Sequence, residues 1–148
     1  MKNTVRIKKL SSGAVTPTYG SEFSAGADLY ACTGGDAVTI LPGETKFIGT
    51  GIAMEIPVGF VGLIYARSGI ACKRGLAPAN KVGVIDSDYR GEIKVALHNH
   101  SSVEGMVENG ERIAQIVIAP YMTADFVESD TLDDTDRGDG GFGSTGKK

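Results

Sequence analysis

The chain has 148 residues, 41% hydrophobic and 22% charged, which fits one globular domain and excludes a disordered chain, which would carry few apolar residues and a large net charge. A net charge of −3 argues against a long nucleic-acid partner, which selects a basic stripe, although a few local arginines suffice to hold a small anion. No apolar run approaches the roughly 18 residues of a membrane-spanning helix, and MKNTVRIKKL lacks the apolar stretch of a secretory signal, so a cytoplasmic protein with two reduced thiols, Cys32 and Cys72, is expected.

The predicted elements are strands. Val5 to Lys9 alternates apolar and polar residues at period two. Ala37–Ile40, Lys46–Ile56, Phe60–Ala66, Glu92–His98 and Arg112–Ala119 are rich in Val, Ile and Phe, and Gly, Pro, Asn or Asp bound them. Turn signals separate them at Gly34-Gly35, Pro42-Gly43, Pro57 to Gly59 and Asn109-Gly110. One short helical turn is expected near Ile70–Arg74. The expected class is all-β, a sandwich, jelly roll or barrel.

Two further segments stand out. Val82, Val84 and Ile85 lead into a polar turn at Asp86–Gly91, after which Glu92 begins another strand. That pattern predicts a β-hairpin with Asp86, Asp88, Tyr89 and Arg90 at its tip. Asp is also a common turn former, so the tip admits a purely structural reading. His98 and His100 fall on one face of a strand, but no third metal ligand is near in sequence, which favours paired histidines over a metal site.

Glycine is in excess, with 21 residues against a usual share near 7%. Five lie in RGDGGFGSTGKK, residues 137–148, after a stretch from Glu128 to Asp139 that holds six acidic residues. Such a segment is expected to be mobile. Gly138 to Gly143 fits G-x-G-x-x-G, and Gly141 to Lys147 fits most of a phosphate-binding loop. Neither is expected to act as one, because both motifs need a helix to follow and only a few residues remain. The underlying physics still applies: glycine lets backbone N–H groups approach phosphate, and an arginine with two hydroxyls can complete the contact.

Five segments together resemble the trimeric deoxyuridine triphosphatases (dUTPases). In order they are AGADLYA around Asp28, ARSGIA (66–71), NKVGVIDSDYRGE (80–92), GERIAQIV (110–117) and RGDGGFGSTG (137–146). Ala66 stands where the family usually has proline. The resemblance implies a distorted jelly-roll or barrel-like β fold with at most one short helix. It divides the chain into a core, residues 1–136, and a glycine-rich lid, residues 137–148. It also implies a homotrimer whose sites take the second and fourth segments from one chain, the third from a neighbour and the fifth from the remaining chain.

The implied reaction is hydrolysis of dUTP to dUMP and pyrophosphate by water attack at the α-phosphorus, with no membrane or nucleic-acid partner. Asp86 matches the catalytic aspartate that orients the water. Arg67, Ser68, Gly69, Gln115, Arg137, Ser144 and Thr145 match phosphate-binding positions. Asn80, Val84, Asp86, Tyr89 and Phe142 match the positions around uracil and deoxyribose: Tyr89 packs on the sugar and Phe142 over the base. Mg²⁺ would ride mainly on the triphosphate, with Asp28 touching its shell through water. The alternatives are a dUTP-sensing regulator of a partner protein and a dCTP deaminase of the same fold; the latter needs a water-activating glutamate, whereas the hairpin carries Asn80, Asp86 and Tyr89.

Overall fold

In the computed structural model, residues 4–141 are described. Phe142, Ser144 and Thr145, assigned above to base and phosphate contacts, lie outside the described residues. Twelve strands and one helix are present among the described residues. They are β1 (Arg6–Lys9), β2 (Thr18–Tyr19), β3 (Ala27–Tyr30), β4 (Val38–Ile40), β5 (Thr45–Gly49), β6 (Ile52–Glu55), β7 (Phe60–Tyr65), α1 (Ser68–Arg74), β8 (Leu76–Pro78), β9 (Gly83–Ile85), β10 (Lys94–Asn99), β11 (Gly105–Val107) and β12 (Arg112–Pro120). The all-β expectation holds, with a single short helix.

The strands form four antiparallel sheets: β1-β6, β5-β10-β8, β11-β4 and the five-stranded β2-β3-β12-β7-β9. Among the described residues no sheet closes into a barrel, and the packed antiparallel sheets form a jelly-roll-like architecture. The expected Lys46–Ile56 strand is two strands, β5 and β6. They part at Gly51, whose φ of 67° bends the chain in a way a side chain resists. β3 escaped the period-two reading because Ala27, Asp28 and Leu29 are all buried, and a strand covered on both faces loses its alternation. The helix starts at Ser68, two residues before the expected turn. It stops at Gly75, also left-handed at φ 67°, whose N–H donates to the Ala71 carbonyl at 3.1 Å.

The predicted hairpin takes a different form. β9 pairs with β7, while β10 pairs with β5 and β8. The polar segment 86–92 therefore connects two sheets instead of two arms of one hairpin. The short β9 runs three residues and completes an edge of the five-stranded sheet, which leaves the tip free of a ladder partner.

The core brings the sheets together through Leu29, Ile40, Ile52, Leu76, Leu97 and Ile113, all without solvent exposure. The Asn99 amide lies within it. The Asn99 side chain is fully buried. Its Nδ2 donates to the carbonyls of Ile40 and Val103, each at 2.8 Å, and its Oδ1 accepts from Ser101 N at 2.9 Å and Ser101 Oγ at 2.7 Å. Every capacity of the amide is used, so it ties β10 to β4 and to the 101–103 turn without a desolvation deficit. Asn99→Ala is expected to cost about 1–3 kcal/mol, because it strands the Ile40 carbonyl in the core. Urea unfolding at fixed protein concentration measures it, and an unchanged midpoint would show that the amide contributes nothing.

Candidate functional site

The strand β12 is the spine of the site. Gln115 on β12 pairs with Asp28 on β3 and with Tyr65 on β7. Arg112 pairs with Tyr30, and a β-bulge between Arg112 and Ala114 shifts the register. In a regular strand, residues three apart point to opposite faces. The extra residue at the bulge turns Arg112 and Gln115 to the same face. Both line one cleft of about 380 Å³ together with Asp28, Arg67, Ser68, Gly69, Ser24 and Gly26. Four of the phosphate-site residues expected from the sequence, Arg67, Ser68, Gly69 and Gln115, are thus brought together by the tertiary structure, with Asp28 beside them.

Asp28 organises this cleft. Its side chain is largely buried, and Arg67 Nε donates to its Oδ1 at 2.6 Å while Arg112 Nη1 donates to Oδ2 at 3.3 Å. Both oxygens already serve guanidinium groups. Two positive charges against one negative leave the group with one surplus positive charge facing the cleft. That surplus suits a polyanion. Arg112 was missed in the sequence reading, because period-two logic places it opposite Gln115; a bulge has no strong signal in a single sequence.

Gln115 is held equally closely. Its Nε2 donates to the Ala66 carbonyl at 2.9 Å, just before Arg67. On the other side, a Cβ placed at Gly26 would sit 3.0 Å from Gln115 Cδ and overlap its Oε1. Gly26 is therefore a space requirement of the amide. At Gly69 the same test finds nothing within 4 Å, so the start of α1 is open. Across the rim, Ser21 and Ser24 clasp a tight turn by a 3.0 Å bond from Ser21 N to Ser24 Oγ.

The remaining predicted residues lie elsewhere. Asn80, Val84, Asp86 and Tyr89 are exposed and none lines the cleft. Arg90 caps their loop by donating from Nη1 to the carbonyls of Ser87 at 2.7 Å and Tyr89 at 2.9 Å. The register separates the two groups: Gln115 is level with Tyr65, whereas Ile85 pairs with Gly62. Asp28 and Asp86 are at least three rungs along and three strands across from one another, roughly 17 Å. Arg137 is exposed and turns back on its own segment, donating from Nε to the Gly140 carbonyl at 2.9 Å.

Among the described residues, no group of three His, Cys, Asp or Glu side chains could hold an ion. His98 and His100 meet edge to face with ring centroids 4.4 Å apart, and Thr45 Oγ1 lies 2.8 Å from His98 Nδ1. Partial desolvation, then the neighbouring His98 and Lys81 charges, hold the His100 pKa below its ordinary value. Cys32 and Cys72 are free thiols, as expected.

A jelly-roll-like scaffold thus presents a cationic, polar cleft, with chemistry suited to a polyanion, and an exposed, laterally displaced loop on the same sheet. The comparisons place it further. A family model described as dUTPase matches residues 13–146. The chain belongs to the dUTPase family. It is 51% identical to a deoxyuridine 5'-triphosphate nucleotidohydrolase of Nautilia profundicola, over 97% of this chain and 99% of that one. Another of that description, from Syntrophotalea carbinolica, is 46% identical with 97% of each covered. Among solved structures, a variant of the dUTPase of Staphylococcus bacteriophage 80alpha in complex with dUpNHpp matches with a TM-score of 0.89 and 29% identity, covering 98% of this chain and 99% of that one. A dUTPase variant from phage phi11 of S. aureus, reported with a structural Mg(II) ion, matches with a TM-score of 0.79 and 25% identity, covering 88% and 99%. No helix among the described residues is long and apolar enough to cross a membrane.

The paired geometry of Asp28 predicts that Asp28→Ala frees both guanidiniums and leaves their like charges facing one another. The expected loss is roughly 1–3 kcal/mol of stability, read by urea unfolding at fixed protein concentration. A variant as stable as the parent would show that the two pairings are stability-neutral.

Proposed function

We propose that the protein hydrolyses dUTP to dUMP and pyrophosphate, with Arg67, Ser68, Gly69 and Gln115 on the phosphates and the 80–89 loop on uracil and deoxyribose. The single observation that supports this most is the cleft itself. Residues from three of the matched segments converge there on a surplus positive charge. In this reading Arg112 joins them, because it lines the same wall and shares Asp28 with Arg67.

Asp86 is the residue proposed to act on water. Its carboxylate accepts a hydrogen bond from the attacking water and aims it at the α-phosphorus. As the P–O bond to the β-phosphate breaks, negative charge grows on the pyrophosphate, and the Arg67 guanidinium and the Gln115 amide N–H stabilise it. Asp86 lies roughly 17 Å from Asp28 within a chain by the strand register, so one site needs Asp86 from one protomer and the cleft from another. This supports a site shared between copies, and the resemblance to the trimeric family makes a homotrimer the proposed assembly. A second feature agrees: from Met122 onward Met122, Phe126, Val127 and Leu132 are almost wholly exposed, as expected of a segment that packs against another copy.

Mg²⁺ is the proposed cofactor. Among the described residues Asp28 is the only acidic side chain on the cleft wall, and both its oxygens are engaged. That donor set suits a cation held by substrate phosphate oxygens and water, with Asp28 reaching it through water, and does not suit a protein cage. Bound there, Mg²⁺ would neutralise charge on the phosphate oxygens.

Residues 137–148 are proposed to close over the substrate as a lid, with Arg137, Ser144 and Thr145 on the phosphates and Phe142 over uracil, a stacking contact worth about 1–3 kcal/mol. Tyr89 packs on deoxyribose, where a 2′-hydroxyl or a thymine methyl collides; attraction alone discriminates a methyl by only about 1–3 kcal/mol.

Pyrophosphate release with Mg²⁺ and each of dUTP, dTTP, dCTP and UTP tests the activity. The expected result is strong preference for dUTP, and equal rates on dUTP and dTTP would refute the assigned specificity. Asp86→Asn is expected to keep dUTP binding and lower kcat by about 10²–10⁴; near-parental turnover would remove Asp86 from its role. Deleting 137–148 is expected to leave thermal unfolding almost unchanged and reduce turnover severely, and full activity of the truncated chain would overturn the lid.

A further inference from the structure

We propose that Glu92 and Gly91 are positioning residues for selectivity: together they set the angle of the Tyr89 ring, and they tie the loop that carries it to the turn between β5 and β6. The inference rests on the reading of Tyr89 as the residue that rejects ribose and thymine.

The Tyr89 ring is fixed at two points. Its hydroxyl donates to the Glu92 carbonyl at 3.1 Å. Its flank lies against Gly91, where a Cβ would come within 2.6 Å of Tyr89 Cζ and 3.0 Å of Cε2. Only a residue without a side chain lets the ring lie there. The loop has its own turn bonds, Tyr89 N to the Asp86 carbonyl at 3.2 Å and the Arg90 contacts, and its attachment to the rest of the fold on the far side of Tyr89 lies at its exit.

The exit is clamped. Glu92 Oε1 accepts from Gly51 N at 2.9 Å, a contact across 41 residues of sequence. The next residue is held as firmly: Ile93 N donates to the Ile52 carbonyl at 2.8 Å, and the Ile93 carbonyl accepts from Thr50 N at 3.2 Å and from Thr50 Oγ1 at 2.6 Å. Gly49 makes room for the carboxylate, since a Cβ there would meet Glu92 Oε1 at 2.5 Å. Lys94 Nζ stands 3.6 Å from the other carboxylate oxygen. The Glu92 carbonyl is thus held by two anchors, its own carboxylate on Gly51 N and the Ile93 N–H of the same peptide plane on the Ile52 carbonyl, and it holds the Tyr89 hydroxyl in turn. Loss of the carboxylate removes one anchor and leaves the other, so the loop should stay folded while the ring loses part of its aim. Steric rejection depends on sub-ångström placement, and a misplacement of about 1 Å can cost a hundredfold in rate.

The test measures kcat and KM for dUTP, UTP and dTTP with Mg²⁺ on the full-length protein and on Tyr89→Ala, Glu92→Ala, Glu92→Gln, Gly91→Ala and the Tyr89→Ala/Glu92→Ala double variant. Glu92→Ala is expected to lower the preference for dUTP over UTP and dTTP by about tenfold or more with kcat on dUTP nearly unchanged. Glu92→Gln keeps an acceptor for Gly51 N and should restore selectivity. In the double variant, Glu92→Ala should change selectivity no further than Tyr89→Ala alone. Gly91→Ala, which leaves the Gly51 contact intact, should lower selectivity by displacing the ring, and it carries the test if thermal unfolding shows Glu92→Ala to be unfolded. Parental selectivity in a folded Glu92→Ala or in Gly91→Ala, with selectivity lost in Tyr89→Ala, overturns this inference and leaves the reading of Tyr89 standing. Parental selectivity in Tyr89→Ala overturns that reading, and this inference with it.

Discussion

The carboxylate of Asp28 sits on β3 with one oxygen on Arg67 and the other on Arg112. Burying a carboxylate alone is costly, and one guanidinium would neutralise it. The second guanidinium makes the arrangement useful, because the cluster then carries a net positive charge at the cleft wall. The geometry of both arginines is also set before any ligand arrives. Donors that need no reorganisation during reaction are those that stabilise developing charge best. The cleft depends on this one buried acid: without it, two like charges face each other and neither has a fixed direction.

Backbone geometry makes the cluster possible. Asp28 comes from the third strand, Arg67 from the turn into the helix and Arg112 from the start of the last strand. Pairing of β3 and β7 on either side of β12 aligns Asp28, Gln115 and Tyr65 on one level. The bulge after Arg112 brings that residue onto the face shared by Gln115. The same ladder that gathers these groups holds the 80–89 loop away from them, at the far edge beyond β7. The cleft around Asp28 and the 80–89 loop are therefore separate surfaces of the chain.

Much of this was legible in the residues. Segments bounded by turn residues became strands at β1, β4, β7, β10 and β12, because their apolar residues had one place to go. β2, β8 and β11, of two or three residues each, were not legible, because their residues do not stand out from the loops around them as a Val- and Ile-rich run does. The Lys46–Ile56 run was divided by a single left-handed glycine, and the Val82–Glu92 segment reached two different sheets although its pattern reads as one hairpin. Local chemistry marks where a chain turns; it does not say which partner the next strand finds.

The sequence by itself determined the all-β class, the family resemblance and the identity of the candidate groups, because five short segments carry specific side chains in a specific order. Tertiary structure decided which of those groups meet. It gathered Asp28, Arg67, Ser68, Gly69 and Gln115 into one cleft and added Arg112. It placed Asp86 and Tyr89 on another surface and bound the Tyr89 loop to Gly51 through Glu92. The physical reason is that strand register, a one-residue bulge and pairing between distant segments fix distance, and these are properties of the folded ladder with no counterpart in the linear order of residues.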